Sequence, residues 1–337
     1  MILPRISLIT PSYQQAAYLP ECIASVHALN SGQSVDHIVV DGGSTDGSKH
    51  VIEQNAHLLT WWCCEKDNGQ SDAINKGLAH ATGDVFGWLN SDDAVLPDAL
   101  RKVSEAFAQD PDLLVFGGRL IHRSESGDRV FERLNDIRDT ARLFADPIVN
   151  QQSTFYRMHA VKTIGGVDPA LRYVMDVELW WQLLFRYGAS HLRFDAVELA
   201  IFRMHAASKT MGEHSGFIEE LADLLHGLCT RVGHTELAAV IAIGYPQRKP
   251  LRGIPANAEQ HAGIVHTMSV HFLLKWHGHL HTESQFRMLK ALCASGLVKP
   301  AELLPEMAER WALVQQRTRV GSWNLFRAQR KIKHLFR

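Results

Sequence analysis

The sequence predicts an α/β protein: a mainly parallel, mixed central sheet flanked by helices, followed by a helical C-terminal extension. Three observations predict it. Over the first 120 residues, short β-rich runs alternate with stretches of helical apolar spacing. The runs end abruptly in loops rich in Asp, Asn, Ser and Gly, and in open α/β sheets ligands bind at that edge. From about residue 215 onward the pattern is largely helical.

The elements follow in order. Strands are expected at 5–10, 36–41, 60–65, 84–89 and 113–117, where apolar and β-branched residues cluster. Helices are expected at 19–29, 48–57, 71–81 and 98–109, where apolar residues recur at helical spacing. The run Asp84-Val-Phe-Gly-Trp-Leu89 reads as a buried strand that delivers Asn90-Ser91-Asp92-Asp93 to the ligand edge. Residues 120–210 are less regular, with a helix at 136–145, strands at 152–156 and 191–195, and a helix at 176–187. Pro246, Pro250 and Pro255 with Gly244 and Gly253 break the helical pattern near 244–257. A domain boundary is placed at 212–216, giving 1–214 (halves 1–120 and 121–214) and 215–337.

Composition narrows the class. Hydrophobic content of 46% and charged content of 21% fit a globular domain, and a net charge of −1 favours neither nucleic acid nor membrane overall. No apolar run reaches 18 residues, so no spanning helix is expected. The chain enters the strand pattern Arg5–Thr10 directly, which argues against a signal peptide. Five cysteines without framework spacing or a Cys-x-x-Cys pair argue against a disulfide scaffold and structural zinc, and a cytoplasmic setting is expected. Residues 317–337 carry seven Lys and Arg and no acid, interspersed with Trp323, Phe326, Ile332, Leu335 and Phe336. Such a segment either lies on an anionic membrane surface or packs its apolar side on the domain. No nucleic-acid recognition motif accompanies it.

Four loop motifs carry chemistry. Thr10-Pro11-Ser12-Tyr13 follows the first strand, where Tyr13 can stack on a planar base. Asp41 ends the second strand and can accept from a nucleoside, while Ser44, Thr45 or Asp46 can cap the next helix. Asp67–Gly77 is a loop followed by a helix start, whose N–H groups and Lys76 can face phosphate, or whose Asp72 simply suits the helix dipole. The adjacent carboxylates Asp92 and Asp93 repel each other unless a cation or donors compensate, so they mark either a divalent-metal site or an acidic turn.

Taken together and in order, Thr-Pro-Ser-Tyr, Val39-Val40-Asp-Gly-Gly-Ser-Thr-Asp-Gly-Ser, Gly69-Gln-Ser-Asp-Ala-Ile-Asn-Lys-Gly and Trp88-Leu-Asn-Ser-Asp-Asp resemble the family 2 glycosyltransferases of GT-A fold. The resemblance continues through Thr163–Asp168, Tyr173–Trp180 and Phe202–Ser208, and covers roughly residues 4–210. It implies an inverting, metal-dependent enzyme that moves a sugar from a nucleotide-diphosphate donor, UDP-linked by expectation, to an acceptor hydroxyl. By position, Asp41 would hold the base alongside Pro11 and Tyr13, Thr10 and Asp72 would be further donor-site residues, and Asn90-Ser91-Asp92 would occupy the Asp-x-Asp motif. Asp92, Asp93 and His205 are the expected ligands of Mn²⁺ or Mg²⁺. Asn90 stands where Asp is frequent, which lowers the negative charge of the site. Asp176 matches the catalytic base, with Glu178 in reserve and a helix N-cap as its structural alternative. Trp180 and Trp181 are either sugar-stacking or core residues, and Gln151 and Gln152 can reach acceptor hydroxyls.

The resemblance further implies surface polysaccharide or glycolipid assembly, with a saccharide or lipid-linked saccharide acceptor and the basic C-terminus at the inner membrane face. Two other classes compete: a catalytically silent nucleotide-sugar-binding or scaffold protein, which the presence of Asp176 disfavours, and a sugar nucleotidyltransferase, whose glycine-rich basic N-terminal loop is absent.

Overall fold

The computed structural model describes residues 2–27, 35–205, 214–246, 251–277 and 282–328. The chain divides into two compact units, Met1–Arg138 with Ile148–His214, and Asp139–Pro147 with Ser215–Arg337.

The first unit is built on a nine-stranded mixed sheet among the described residues. Its strands are β1 (Ile6–Ser12), β2 (Val35–Asp41), β3 (Trp61–Cys64), β4 (Val85–Trp88), β5 (Ala94–Val95), β6 (Val115–Ser124), β7 (Gly127–Phe131), β8 (Thr154–Arg157) and β9 (Leu192–Arg203). The order across the sheet is β3-β2-β1-β4-β8-β6-β9-β5, with β7 paired to β6. The first four neighbours run parallel, which requires the crossover helices the alternation predicted. β8 enters antiparallel beside β4 and turns the sheet mixed. The helices of this unit are α1 (Leu19–His27), α2 (Ser48–Gln54), α3 (Gln70–His80), α4 (Ala99–Gln109), α6 (Met158–Thr163) and α7 (Met175–Tyr187), while α5 (Thr140–Ala145) belongs to the second unit.

Local chemistry explains the placements. β1 and β2 are almost wholly buried, as strands covered on both faces must be. α4 turns Ala99, Leu100, Val103, Ala106 and Phe107 onto a core that includes Ile6, Leu8, Val85, Phe116 and Phe155. Asp98 precedes α4 in the left-handed region, at φ 61°. α3 lies close against β1 because residue 77 is glycine: a Cβ there would stand 2.6 Å from Cγ2 of Ile9.

Two expectations are amended. The strand expected at 113–117 runs on to Ser124 and forms a hairpin with β7. The strand expected at 191–195 extends to Arg203, because it pairs in parallel with the whole of β6, across a register shift between Gly117 and Leu120. That extension carries His205 to the ligand edge.

The second unit is helical, with α5 joined by α8 (His214–Arg231), α9 (Thr235–Gly244), α10 (Ala258–Trp276), α11 (Glu283–Ser295) and α12 (Met307–Thr318). α9 ends at Gly244, and α10 starts under an Asn257 side-chain cap, as the Pro/Gly break requires. Among the described residues no helix is long and apolar enough to cross a membrane.

Candidate active site at the carboxyl edge of the sheet

Parallel pairing brings three strand ends together: Ser12 pairs with Asp41, and Ile9 with Trp88. The loops that leave them are laced to one another. Gln14 N donates to Ser44 Oγ (2.8 Å), Ala16 N to Asp46 Oδ2 (2.8 Å) and Gln15 N to Ser48 Oγ (3.2 Å). Tyr13 stands 62% exposed at the mouth. Asp46 accepts from Ser48 N and Ser48 Oγ, so it closes the turn before α2, although Gly47 holds the N-cap position.

Asp41 is fully buried, and its carboxylate is filled from its own side. Oδ1 accepts from Gly43 N (3.1 Å), Ser44 N (2.7 Å) and Cys64 Sγ (3.1 Å), and Oδ2 from Ser44 Oγ (2.7 Å). Oδ2, with one donor against three on Oδ1, is the less occupied of the two oxygens. Gly43 makes this wrap at φ +83°, a conformation a Cβ would strain.

The turn after β4 is held from three directions. Gln70 Nε2, at the start of α3, donates to Asn90 Oδ1 (2.7 Å). Gln151 Nε2 donates to the carbonyl of Trp88. Arg203 Nε donates to the Asp92 carbonyl (3.1 Å), and its guanidinium lies 5.2 Å from the centre of the Tyr18 ring. Asp92 Oδ2 lies 2.9 Å from His205 Nε2, and the His205 ring packs on Tyr18 at 4.8 Å between centroids. Ser91 is buried in the same turn.

Asp93 points the other way. It is 2% exposed and accepts from Gln152 Nε2 (2.8 Å) and Arg203 N (2.9 Å). Burial, and then the neighbouring Asp92 charge, push its carboxyl far above the usual carboxylate range. The expectation that Asp93 helps to ligate a metal does not fit this geometry: its oxygens close the core. Thr10 also departs from its expected role. It is fully buried, and Oγ1 lies 3.0 Å from His37 Nε2, so its hydroxyl is engaged in supporting the strand pair. Lys76 likewise faces Glu65 (3.0 Å) and Asp72 (3.8 Å). Asp72 accepts from Asn68 N (3.0 Å) in the loop before α3.

Asp176 lies within the first turn of α7, behind an N-cap at Val174, and Oδ1 accepts from Val177 N (2.9 Å). α3 links it to the Asn90 turn. Ser71 Oγ donates to the Leu171 carbonyl (2.6 Å), and Asn75 exchanges two hydrogen bonds with Val167 (2.8 and 3.1 Å). The segment leading into Asp176 thus rests on the helix whose first residue holds Asn90. Glu178 is fully buried and accepts from Gln182 Nε2 (2.8 Å). Trp180 and Trp181 are core residues, 1% and 3% exposed. Gln151 and Gln152 serve the turn after β4 and do not face outward.

Among the described residues, no group of three or more His, Cys, Asp and Glu is gathered to hold a metal ion. Asp92 and His205 form a two-donor pair. One carboxylate and one imidazole could serve a divalent transition-metal ion only if most of its ligands came from elsewhere. Residues 206–208 of the motif lie outside the described residues.

The family model described as Glycosyl transferase family 2 matches residues 7–165. An uncharacterized glycosyltransferase of Mycobacterium tuberculosis is 32% identical over 178 residues, covering 52% of this chain and 67% of that protein. The chain belongs to glycosyltransferase family 2. An amylovoran biosynthesis glycosyltransferase of Erwinia amylovora is also similar, 29% identical over 174 residues, covering 49% of this family 2 chain and 64% of that one. The fold matches the crystal structure of residues 1–349 of S. aureus TarS in complex with UDP-GlcNAc, at a TM-score of 0.62 and 15% identity, covering 95% of this chain and 93% of that one. This chain spans 53% of the longer TarS structure. The GT-A fold expected from the sequence is thereby established.

Proposed function

We propose that this family 2 glycosyltransferase transfers a sugar, with inversion, from a UDP-sugar to an acceptor hydroxyl. The observation that carries the reading is the shared edge: Asp41, the Asn90–Asp92 turn and the segment leading to Asp176 are tied together through paired strand ends and α3. In this reading residues 1–120 hold the donor, and 121–138 with 148–214 the acceptor. The base lies between Tyr13 and Pro11, and its N–H donates to Asp41 Oδ2. UDP-GlcNAc bound to TarS, a protein of the same fold, supports the donor class.

Asp92 and His205 would hold Mn²⁺ or Mg²⁺, which would supply positive charge to neutralise the charge growing on the diphosphate leaving group. Asn90 and Ser91, in the same turn, would face the ribose. Asp176 accepts the proton of the acceptor hydroxyl as that oxygen attacks the anomeric carbon and the bond to the diphosphate breaks on the opposite face. Asp72 supports the donor side indirectly, by fixing the loop at Asn68. The amylovoran biosynthesis relative supports work in surface polysaccharide or glycolipid assembly, on a saccharide or lipid-linked acceptor.

The test is Asp176→Asn. Wild type should release UDP from at least one UDP-sugar in the presence of Mn²⁺. The variant should lose on the order of 10²–10⁴-fold in rate while UDP still raises its melting temperature. Full turnover by the variant would remove Asp176 from the chemistry.

A further inference from the structure

Tyr156 is fully buried in β8, yet among the described residues its hydroxyl has no hydrogen-bond partner. A buried phenol ordinarily finds one, and an orphan calls for a reason beyond packing. Its ring lies against Phe86 and Trp88 of β4, the strand that delivers the Asn90 turn. The face it occupies can be followed across the sheet. Thr154 and Tyr156 point the same way, since side chains on a strand alternate. Thr154 pairs with Gly117, and the space above Gly117 is filled by the Phe194 ring. Trp180 of α7 packs on that ring at 5.8 Å. Asp176 is one turn before Trp180 on the same side of α7. The phenol therefore faces the layer α7 covers, and the Asp176 charge reaches it. Burial, and then that charge, raise the phenol pKa, so the group remains a donor throughout the working pH range.

We propose that Tyr156 is a positioning residue for Asp176: when an acceptor hydroxyl occupies the site, the phenol donates to the carboxylate and orients the lone pair that receives the acceptor's proton. The inference rests on the reading of Asp176 as the base. A hydrogen bond to the charged form of a carboxylate lowers its pKa, so the base stays ionised further into acid. The hydroxyl that folding leaves bare is then the one the reaction uses.

Tyr156→Phe removes the hydroxyl and keeps the ring. The readout is UDP release, across pH, from the UDP-sugar that the wild-type full chain turns over fastest in a panel of UDP-hexoses and UDP-N-acetylhexosamines. The variant is expected to lose about tenfold in kcat, with donor KM held within about twofold. The acid limb of its kcat profile should move up by ~0.5–1 pH unit. Its melting temperature should equal or exceed that of wild type, because an unpartnered group has been removed. Asp176→Asn is measured beside it. Turnover by Asp176→Asn, or none by wild type, overturns the reading of the base or of the transferase. An inactive Asp176→Asn beside a Tyr156→Phe with wild-type kcat and pH profile overturns the positioning role alone. A lowered melting temperature in Tyr156→Phe, without a displaced acid limb, assigns the hydroxyl to folding and also overturns it.

Discussion

His37 has no exposed surface and lies between Thr10 Oγ1 (3.0 Å) and His27 Nε2 (3.1 Å), so its ring can donate through one nitrogen and accept through the other only while neutral. Burial, with His27 adding to it, pushes its pKa down to about 3. An unfolded histidine takes up a proton near pH 6.5. Between those values the unfolded chain binds more protons than the native one, so stability falls as pH falls, by up to about 1.4 kcal/mol per pH unit. Above about pH 6.5 the residue contributes no slope. In urea unfolding at pH 7, 6 and 5, His37→Gln should show a flatter dependence than wild type, whatever its absolute stability; parallel curves would refute the assignment. The same pair shows where residue-level reading stopped. Thr10 belongs to a motif whose order and spacing were legible, but its partner is 27 positions away on β2, and no local pattern states which face of β1 it occupies. Asp93 was misread for the same reason. An Asp-Asp pair reads as metal-binding until Gln152 and Arg203, both distant in the chain, are seen to take its oxygens.

At the scale of elements, β9 shows most clearly what sequence alone withholds. Only its first residues read as a strand, because later ones alternate weakly and take their structure from pairing with β6. By contrast the parallel strands β1, β2 and β4 and the helices α3, α4 and α7 were legible within a few residues, since burial on both faces or amphipathic spacing is written locally. β9 and the turn after β4 are joined through the Asp93 carboxylate. Gln152→Leu would leave that carboxylate short of a donor in a site with almost no solvent access. The expected loss is about 1–3 kcal/mol of unfolding free energy in urea, together with a weaker Mn²⁺ response as the alignment of Asp92 and His205 loosens. A variant within about 0.5 kcal/mol of wild type would show that Gln152 is dispensable.

For the whole molecule, alternation of strand and helix gave the fold class and the ordered motifs gave the family, whereas the helical second unit carries no motif that reads as chemistry. Its C-terminal segment divides between two readings. Trp323 and Phe326 pack on Phe286 of α11, at 6.0 and 5.7 Å, which uses apolar surface inward, while Leu325 is 56% exposed. Arg330, Lys331, Lys333 and Arg337 lie outside the described residues. If these four cations draw the enzyme to an anionic membrane, at about 1 kcal/mol each, ending the chain after residue 328 should sharply weaken sedimentation with phosphatidylserine vesicles at low salt and spare UDP release. Equal sedimentation would rule out the membrane role for that segment.

α3 has a mechanical consequence. Its first residue grips Asn90, its second and sixth grip the chain ahead of Asp176, and Gly77 sets its depth against Ile9. In the proposed reading, donor and acceptor sides are thereby mounted on one spar. A bulkier residue at 77 would lift that spar and tilt both mountings together, so the Michaelis constants for the two substrates should rise in concert, without either pocket having been touched.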